Sequence, residues 1–406
     1  MEYGTHGLPS ATTDVRALHL PRDEIVMRMP HIPLNRSGVV GREFEYIEQT
    51  LRSGGNRHGD GPFTGRCQAW LREWLGGGRV FLTQSCTAAL EMSALLIDLK
   101  SQDEVIMPSY TFTSTANAFV LRGAVPVFVD VDPATQTICP AAVERAITPR
   151  TRAIVAVHYA GVGCDMAKLC AIASRHRLFL IEDAAQAIMA RKAGRPLGSF
   201  GALATFSFHD SKNVSSGEGG ALIVNDPALA NRAEVLWEKG TNRSQFLRNE
   251  ADKYTWLDVG SSFLPSEVTA AFLLAQLEKA DEITAARREI WELYQREFTA
   301  AESIATLPAP AADCQPNGHI YYLVLPDRTR RDKFSAQMKA EGIDTPFHYV
   351  PLHSSPAGLR YGRAAGDLPN TDFAGEGLVR LPLYPALSKQ HAMGVARCAI
   401  KILEGM

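Results

Sequence analysis

The chain has 406 residues, 46% hydrophobic and 21% charged, with a formal net charge of −2. That length is enough to bury a large core and, by size alone, to divide into two or three domains. The near-neutral charge excludes a basic nucleic-acid binder and an acidic disordered tail, so an anionic ligand must be held by local groups rather than by a global field.

Residues 1–30 are polar, contain proline and lack periodicity, which reads as an extension. From Gly41 a helical pattern (Phe44, Ile47, Leu51) runs to the Gly54-Gly55 pair. A glycine-rich turn, Gly59-Asp60-Gly61-Pro62, leads into a second amphipathic helix over 67–75. After it, short apolar runs alternate with helical patterns. Strands are predicted at 80–82, 105–107, 125–131, 153–157 and 178–181, and helices from Thr87 and at 115–121, 141–147 and 166–175. Runs that are apolar throughout belong to strands buried on both faces, and this alternation implies parallel βαβ units. The runs at 204–208 and 221–224 lie close together, so the chain turns back on itself there. A long helical region covers 265–297 with a break near Asp281, and the last third reads strand, helix, strand, helix at 320–324, 331–341, 346–349 and 390–403.

Seven cysteines fall at irregular spacing without a CxxC pair, and Cys164 and Cys170 have no companion ligands, so no metal site is expected and a reducing compartment is. The first residues carry no signal-type apolar run, Glu2, Asp14, Asp23 and Glu24 argue against a transit peptide, and no stretch reaches membrane-span length. A cytoplasmic protein without nucleic-acid or membrane partners is the expectation.

Four segments carry chemistry. The run Leu178 to Ile181 ends in Glu182 and Asp183, and the carboxyl end of a buried parallel strand is where open α/β sheets bind ligands. A lone aspartate there is ordinarily a helix cap. Asp183 has a counterpart, however: Lys212 follows the next apolar run among small and polar residues, Phe206-Ser-Phe-His-Asp-Ser-Lys212-Asn213, with Gly217-Glu-Gly-Gly220 close behind. Pyridoxal-phosphate chemistry needs a lysine for the Schiff base and an acid to keep the pyridine nitrogen protonated. Any single lysine is most often just solvated, and only the pairing distinguishes this one. Thr83-Gln-Ser-Cys-Thr-Ala-Ala-Leu90 reads as strand, polar turn and helix start, which is either a phosphate site or plain capping, with Ser207 as a further hydroxyl. Pro108-Ser-Tyr-Thr-Phe-Thr113 brings Tyr110 and Phe112 to the same sheet edge, to stack on a ring or simply to pack.

With these segments in this order, from about Ile32 to the C-terminus, the chain resembles the DegT/DnrJ/EryC1/StrS sugar aminotransferases. The resemblance implies the α/β fold of type I pyridoxal-phosphate-dependent transferases. In that fold a large domain (31–280) has a mostly parallel sheet of seven-stranded type sandwiched by helices, and a smaller C-terminal α+β domain (281–406) follows. It implies that Lys212 holds the cofactor and shuttles the proton, that Asp183 pairs with the pyridine nitrogen, and that Gln186 sits by the ring hydroxyl. It further implies that Phe112 stacks on the ring while Cys86, Thr87 and Ser207 surround the phosphate. A dehydratase branch of the family carries histidine where Lys212 stands, so the lysine argues against that branch, and a dehydratase or lyase is kept as the alternative class. Segments such as Asp60-Gly-Pro-Phe-Thr64, Lys239-Gly-Thr-Asn-Arg-Ser-Gln-Phe246 and Phe347-His-Tyr-Val-Pro-Leu-His353 are similar to the branch that makes dTDP-4-amino-4,6-dideoxygalactose. That implies L-glutamate and dTDP-4-keto-6-deoxyglucose as substrates, with the gluco epimer or another nucleotide-linked keto sugar as alternatives, and a homodimer with shared sites.

Two positions depart from the family pattern. Cys86 stands where glycine is frequent, and Ser261-Ser262-Phe263 replaces an Asn-Tyr-Arg whose member reaches the partner's phosphate; Ser262 or Asn242 is expected to take that contact. Arg243 and Arg248 are candidates for the substrate's diphosphate, although both also suit a solvated loop. His348 is a candidate substrate contact, and for both His348 and His353 a satisfied structural histidine is the other reading.

Overall fold

A computed structural model describes residues 31–53, 58–299 and 304–406. The expected N-terminal extension and the Gly54-Gly55 helix stop lie outside the described residues. Short, largely buried strands form the centre: β1 (Arg79–Thr83), β2 (Glu104–Pro108), β3 (Val125–Val129), β4 (Thr151–Val157) and β5 (Phe179–Asp183). A small hairpin of β6 (Arg191–Lys192) and β7 (Arg195–Pro196) precedes β8 (Leu203–Ser207) and β9 (Gly220–Val224). Towards the C-terminus come β10 (Cys314–Gln315), β11 (Tyr321–Val324), β12 (Arg363–Ala364) and β13 (Leu378–Leu381).

The main sheet runs β1-β9-β8-β5-β4-β2-β3-β12. Seven strands form its body, and the two-residue β12 joins parallel to β3 at one edge. Every pairing is parallel except those of β9, which lies antiparallel between β1 and β8. The predicted turn-back is therefore the β8–β9 pair. Strands that read as unbroken apolar runs are buried on both faces because helices cover both sides. Leu90, Phe119 and Leu236, from helices Cys86–Leu96, Thr113–Val120 and Ala230–Trp237, pack with Val105, Val155, Ile181 and Leu222 on one face. Leu71 and Leu274, from Pro62–Leu75 and Glu267–Leu277, pack with Leu82, Phe206 and Ile223 on the other. Each such side chain taken fully from water contributes roughly 1.5–3 kcal/mol.

The predicted break in the long helical region falls at residues 278–279, between Glu267–Leu277 and Ala280–Phe298. Glu267, buried at the start of the first of these helices, accepts N–H bonds from Gly61 (3.1 Å), Phe63 (2.8 Å) and Thr64 (3.0 Å), so its charge caps helix Pro62–Leu75. Helices Ala280–Phe298, Arg328–Ala340 and Lys389–Glu404 share a separate core with β11 and β13 through Tyr294, Phe334, Leu323 and Val395. Here the second predicted strand moves. Residues 346–349 form no regular structure, and the strand is Leu378–Leu381. Pro346 and Pro351 offer no N–H to a ladder, so the segment meets that strand through one backbone bond, from the Arg380 N–H to the Pro346 carbonyl at 3.0 Å. No helix among the described residues is long and apolar enough to cross a membrane.

Candidate active site

The carboxyl ends of β1, β5 and β8 meet at a cavity of about 560 Å³, the edge where such sheets take ligands. Asp183 closes β5 and is 4% exposed. Its carboxylate accepts from Thr115 Oγ1 at 2.8 Å and from the Ala185 N–H at 3.2 Å. Successive strand residues face opposite sides, so Glu182 points away. It accepts from the Gly198, Phe200 and Gly201 N–H groups and meets His158 Nε2 at 2.9 Å. One acid is thus structural, and the other faces the cavity.

Lys212 sits on the loop between β8 and β9, which is pinned by Asp210 N–H to the Gly217 carbonyl (2.8 Å) and Lys212 N–H to the His209 carbonyl (2.9 Å). The side chain lines the same cavity as Asp183 and takes no hydrogen bond or ion pair among the described residues. Burial lowers its proton affinity, against the opposing pull of Cys86 and Asp183. Burial likewise lifts the Asp183 carboxyl above its ordinary value, while Thr115, the Ala185 N–H and the Lys212 charge hold it down. A lysine poised to lose a proton thus shares a cavity with an acid whose donors favour its charged form.

The phosphate-type features lie on the neighbouring turn. Ser85 caps helix Cys86–Leu96 by accepting the Ala88 N–H at 3.1 Å. The Cys86 and Thr87 N–H groups therefore precede the first intrahelical bond and face the cavity side. Thr87 Oγ1 lies 2.7 Å from Ser114 Oγ, and Ser207 lines the wall. Gly220, at the head of β9, comes so close that a Cβ there would lie 2.4 Å from the Cys86 nitrogen. The turn is a cradle that only glycine permits. Gln186 is clamped, its Oε1 accepting the Ala160 N–H at 2.7 Å and its Nε2 donating to Tyr349 OH at 2.9 Å. Phe112 lines the cavity yet is 56% exposed, so it is not core packing.

The two histidines divide. His348 lines the cavity with Nδ1 2.8 Å from Tyr159 OH, whereas His353 is satisfied by Ser109 Oγ at 2.8 Å. Asn242, Arg243, Arg248 and Ser262 do not line this cavity within one chain. Asn242 ties its own loop through the Lys253 carbonyl and the Thr255 N–H (2.9 and 2.8 Å). Arg243 pairs with Glu238 at 2.6 Å, and Arg248 with Glu234 at 2.9 Å. Both cations are thus neutralised by carboxylates in the chain. Ser262 lies with Arg243 in a separate surface depression.

Sequence reasoning missed Thr115, Ser114, Tyr349, His319 and Arg380, all of which line the cavity. His319 is held by Asn213 Oδ1 at 2.9 Å, and burial drives its proton affinity well down. Arg380 had a readable signal, a single cation inside the apolar run Leu378-Val-Arg-Leu381. For the others no local pattern exists. A buried acid facing a pocket lysine, a helix N-terminus with hydroxyls and a glycine-only approach, and an exposed ring at the mouth fit pyridoxal phosphate. No group of three or more histidine, cysteine or acidic residues that could hold a metal occurs among the described residues.

The profile of the DegT/DnrJ/EryC1/StrS aminotransferase family matches residues 39–399. The spore coat polysaccharide biosynthesis protein SpsC of Bacillus subtilis (strain 168) is 32% identical over 90% of this chain and 96% of its own. Among solved structures, DesV of S. venezuelae is 32% identical with a TM-score of 0.84, covering 93% of this chain and 99% of that one. The aminotransferase TlmJ from Streptoalloteichus hindustanus is 31% identical with a TM-score of 0.83, covering 92% and 98%. The fold is the type I transferase fold that the motifs implied. The chain belongs to the DegT/DnrJ/EryC1/StrS aminotransferase family and is an enzyme, a pyridoxal-phosphate-dependent sugar aminotransferase.

Proposed function

We propose that this enzyme binds pyridoxal phosphate in the Lys212 cavity and moves the amino group of L-glutamate to C4 of a nucleotide-linked keto sugar. On this reading the acceptor is dTDP-4-keto-6-deoxy-D-glucose and the product dTDP-4-amino-4,6-dideoxy-D-galactose. The observation that carries it is Lys212 and Asp183 facing one cavity beside the Cys86–Thr87 helix start. When bound, the cofactor supplies a carbonyl for the amine and an electron-accepting ring.

The chain's own residues do the rest. Asp183, whose charged form the Thr115 hydroxyl and the Ala185 N–H favour against the effect of burial, offers a buried carboxyl group to a cationic ring nitrogen. Gln186, fixed at both ends of its amide, orients the ring hydroxyl, and Phe112 covers a face. Cys86, Thr87 and Ser207 hold the phosphate. Lys212 Nζ, with its proton affinity lowered by burial, takes a proton and returns it. His348, held by Tyr159, is the candidate to contact the sugar.

The loop over 238–262 carries Asn242, Arg243, Arg248 and Ser262 away from its own cavity. Tyr254, Trp256, Leu257 and Val259 on the same stretch are exposed apolar residues, the signature of a surface that another chain covers. A homodimer in which this loop serves the neighbouring cavity accounts for both facts, with Ser262 or Asn242 at the phosphate and the two arginines near the diphosphate. A cytoplasmic location belongs to the same proposal.

The test is to incubate the enzyme with pyridoxal phosphate, L-glutamate and dTDP-4-keto-6-deoxyglucose and read the product by mass and proton couplings. A 4-amino sugar with a small C3–C4 coupling is expected. A large coupling would replace the galacto product by the gluco epimer, and an unaminated, dehydrated sugar would remove the transaminase reading.

A further inference from the structure

Two histidines of the cavity wall, His348 and His319, differ in how the fold treats their protons. His348 Nδ1 meets the Tyr159 hydroxyl at 2.8 Å, a group that donates or accepts, so either nitrogen of that ring can carry the proton. His319 meets an amide instead. Its Nδ1 lies 2.9 Å from Asn213 Oδ1, while Asn213 Nδ2 donates to the Asn317 carbonyl at 3.0 Å. A carbonyl only accepts, so the Asn213 amide has one workable orientation, and its oxygen faces the ring as an acceptor. The proton of His319 therefore sits on Nδ1.

Asn317 fixes the frame in turn. Its Nδ2 donates to the Gln186 and Ile188 carbonyls at 2.9 and 2.8 Å, and its Oδ1 takes the His319 N–H at 3.0 Å. A second proton on the ring is opposed first by burial and then by Lys212, Arg287, His348 and Arg380 around it. His319 is thus a neutral ring whose Nε2 carries a bare lone pair. That nitrogen takes no partner among the described residues, and the ring borders the cavity.

A fixed acceptor on a cavity wall calls for a donor on the ligand. The carboxylates of an amino donor and the phosphates of cofactor and sugar nucleotide only accept. An ammonium would add positive charge to a wall that already holds Lys212 and Arg380. A sugar hydroxyl donates without charge. The carbon that takes the amine must lie beside Lys212, and Lys212 is the charge that acts most strongly on His319, so the hydroxyl concerned is close to that carbon. We propose that His319 is a specificity residue that accepts a hydrogen bond from the hydroxyl next to the keto carbon of the sugar, an inference that rests on the function proposed above. On that acceptor C5 carries a methyl group and the ring oxygen, which leaves the hydroxyl at C3. Glutamate has no hydroxyl, so His319 acts in the sugar half of the reaction only.

The experiment is a cycle between residue and substrate. Wild type, His319→Leu and His319→Gln, each loaded with cofactor and aminated by glutamate, receive either the 4-keto-6-deoxy sugar nucleotide or its 3-deoxy analogue in single turnover. Wild type is expected to use the analogue about 10- to 100-fold less efficiently, and His319→Leu to treat the two within about threefold of each other, with its glutamate half-reaction within about twofold of wild type. His319→Gln retains an amide oxygen as acceptor and should fall between, which also serves if the leucine variant folds poorly. A readout free of turnover is the 15N spectrum of the holoenzyme with labelled histidine, the His319 signals being those lost in His319→Gln. They should show the proton on Nδ1 and a bare Nε2. A proton on Nε2, a wild type indifferent to the C3 hydroxyl, or the full wild-type preference kept by His319→Leu would each overturn the assignment. A wild type that takes the amino group from glutamate but aminates neither sugar would instead remove the proposed acceptor, and this assignment with it.

Discussion

Asp183 and Glu182 are neighbours in sequence with opposite fates, because a strand sends alternate side chains to opposite faces. Glu182 is below its ordinary proton affinity: burial alone would raise it, but His158 and the N–H groups of Gly198 and Gly201 outweigh that. Asp183 has fewer donors, and burial keeps it above the ordinary value. The Thr115 hydroxyl is the strongest force holding Asp183 down, so Thr115→Val should lift the carboxyl further. The acid limb of the kcat/KM profile for glutamate then moves to higher pH, since the charged form is reached later on titration upward. An acid limb that stays in place would show that Thr115 only packs. These two acids, Lys212 and the Ser85–Thr87 turn were legible because each is a chemically marked group at a strand end or helix start. Thr115, Tyr349 and His319 were not, since they reach the cavity from segments distant in sequence and nothing local distinguishes them from core residues. Asn242, Arg243, Arg248 and Ser262 show the converse: polar residues attractive in sequence that one chain alone does not bring to the site.

At the scale of elements, the cavity depends on how closely β9 approaches the helix that starts at Cys86. A Cβ at Gly220 would stand 2.4 Å from both the Cys86 nitrogen and the Ser85 carbonyl carbon, backbone atoms that cannot swing aside. Gly220→Ala should therefore displace the turn, cost about 1–3 kcal/mol of stability and weaken cofactor binding at least tenfold, read by equilibrium titration with pyridoxal phosphate. Wild-type affinity would place the phosphate elsewhere. The far edge of the sheet has a different tie. Glu104, at the start of β2, meets Arg363 of β12, Thr148 and Arg150. Burial would raise its proton affinity, yet these bonds bring it from 4.5 down to about 2. Its stabilisation is thus complete above pH 4.5 and is lost as the pH falls towards 2. Because Arg150 is largely exposed, the contribution is discounted to about 1–2 kcal/mol. Urea unfolding at pH 5 and pH 3 should show the wild type losing more than Glu104→Gln across that window, and equal losses would remove Glu104 from the acid sensitivity. The strand order around this edge was only partly readable: apolar runs located β2 to β5, but a two-residue strand such as β12 leaves no pattern. Residues 346–349 read as a strand in the sequence, while Pro346 and Pro351 deny a ladder its donors.

At the scale of the whole molecule, one sheet edge gathers an acid, a lysine, a helix N-terminus and an unpaired guanidinium, contributed by β5, the β8–β9 loop, the turn after β1 and β13. The last arrives from the C-terminal third of the chain, so the core built around β11 and β13 completes the cavity rather than merely adjoining it. The layers follow from apolar runs alternating with helical periods, and the family's motifs mark the positions where chemistry sits. On the proposed function, nitrogen passes from glutamate to the sugar through this cavity. The measurement that tests it most directly uses amine-labelled [15N]glutamate, the keto sugar and excess unlabelled ammonium, with the wild type and Lys212→Ala compared. The wild type is expected to give 15N at C4 of the sugar and one 2-oxoglutarate per amino sugar, and Lys212→Ala neither product. Unlabelled nitrogen in the product, or labelled amino sugar formed by Lys212→Ala at the wild-type rate, would contradict it.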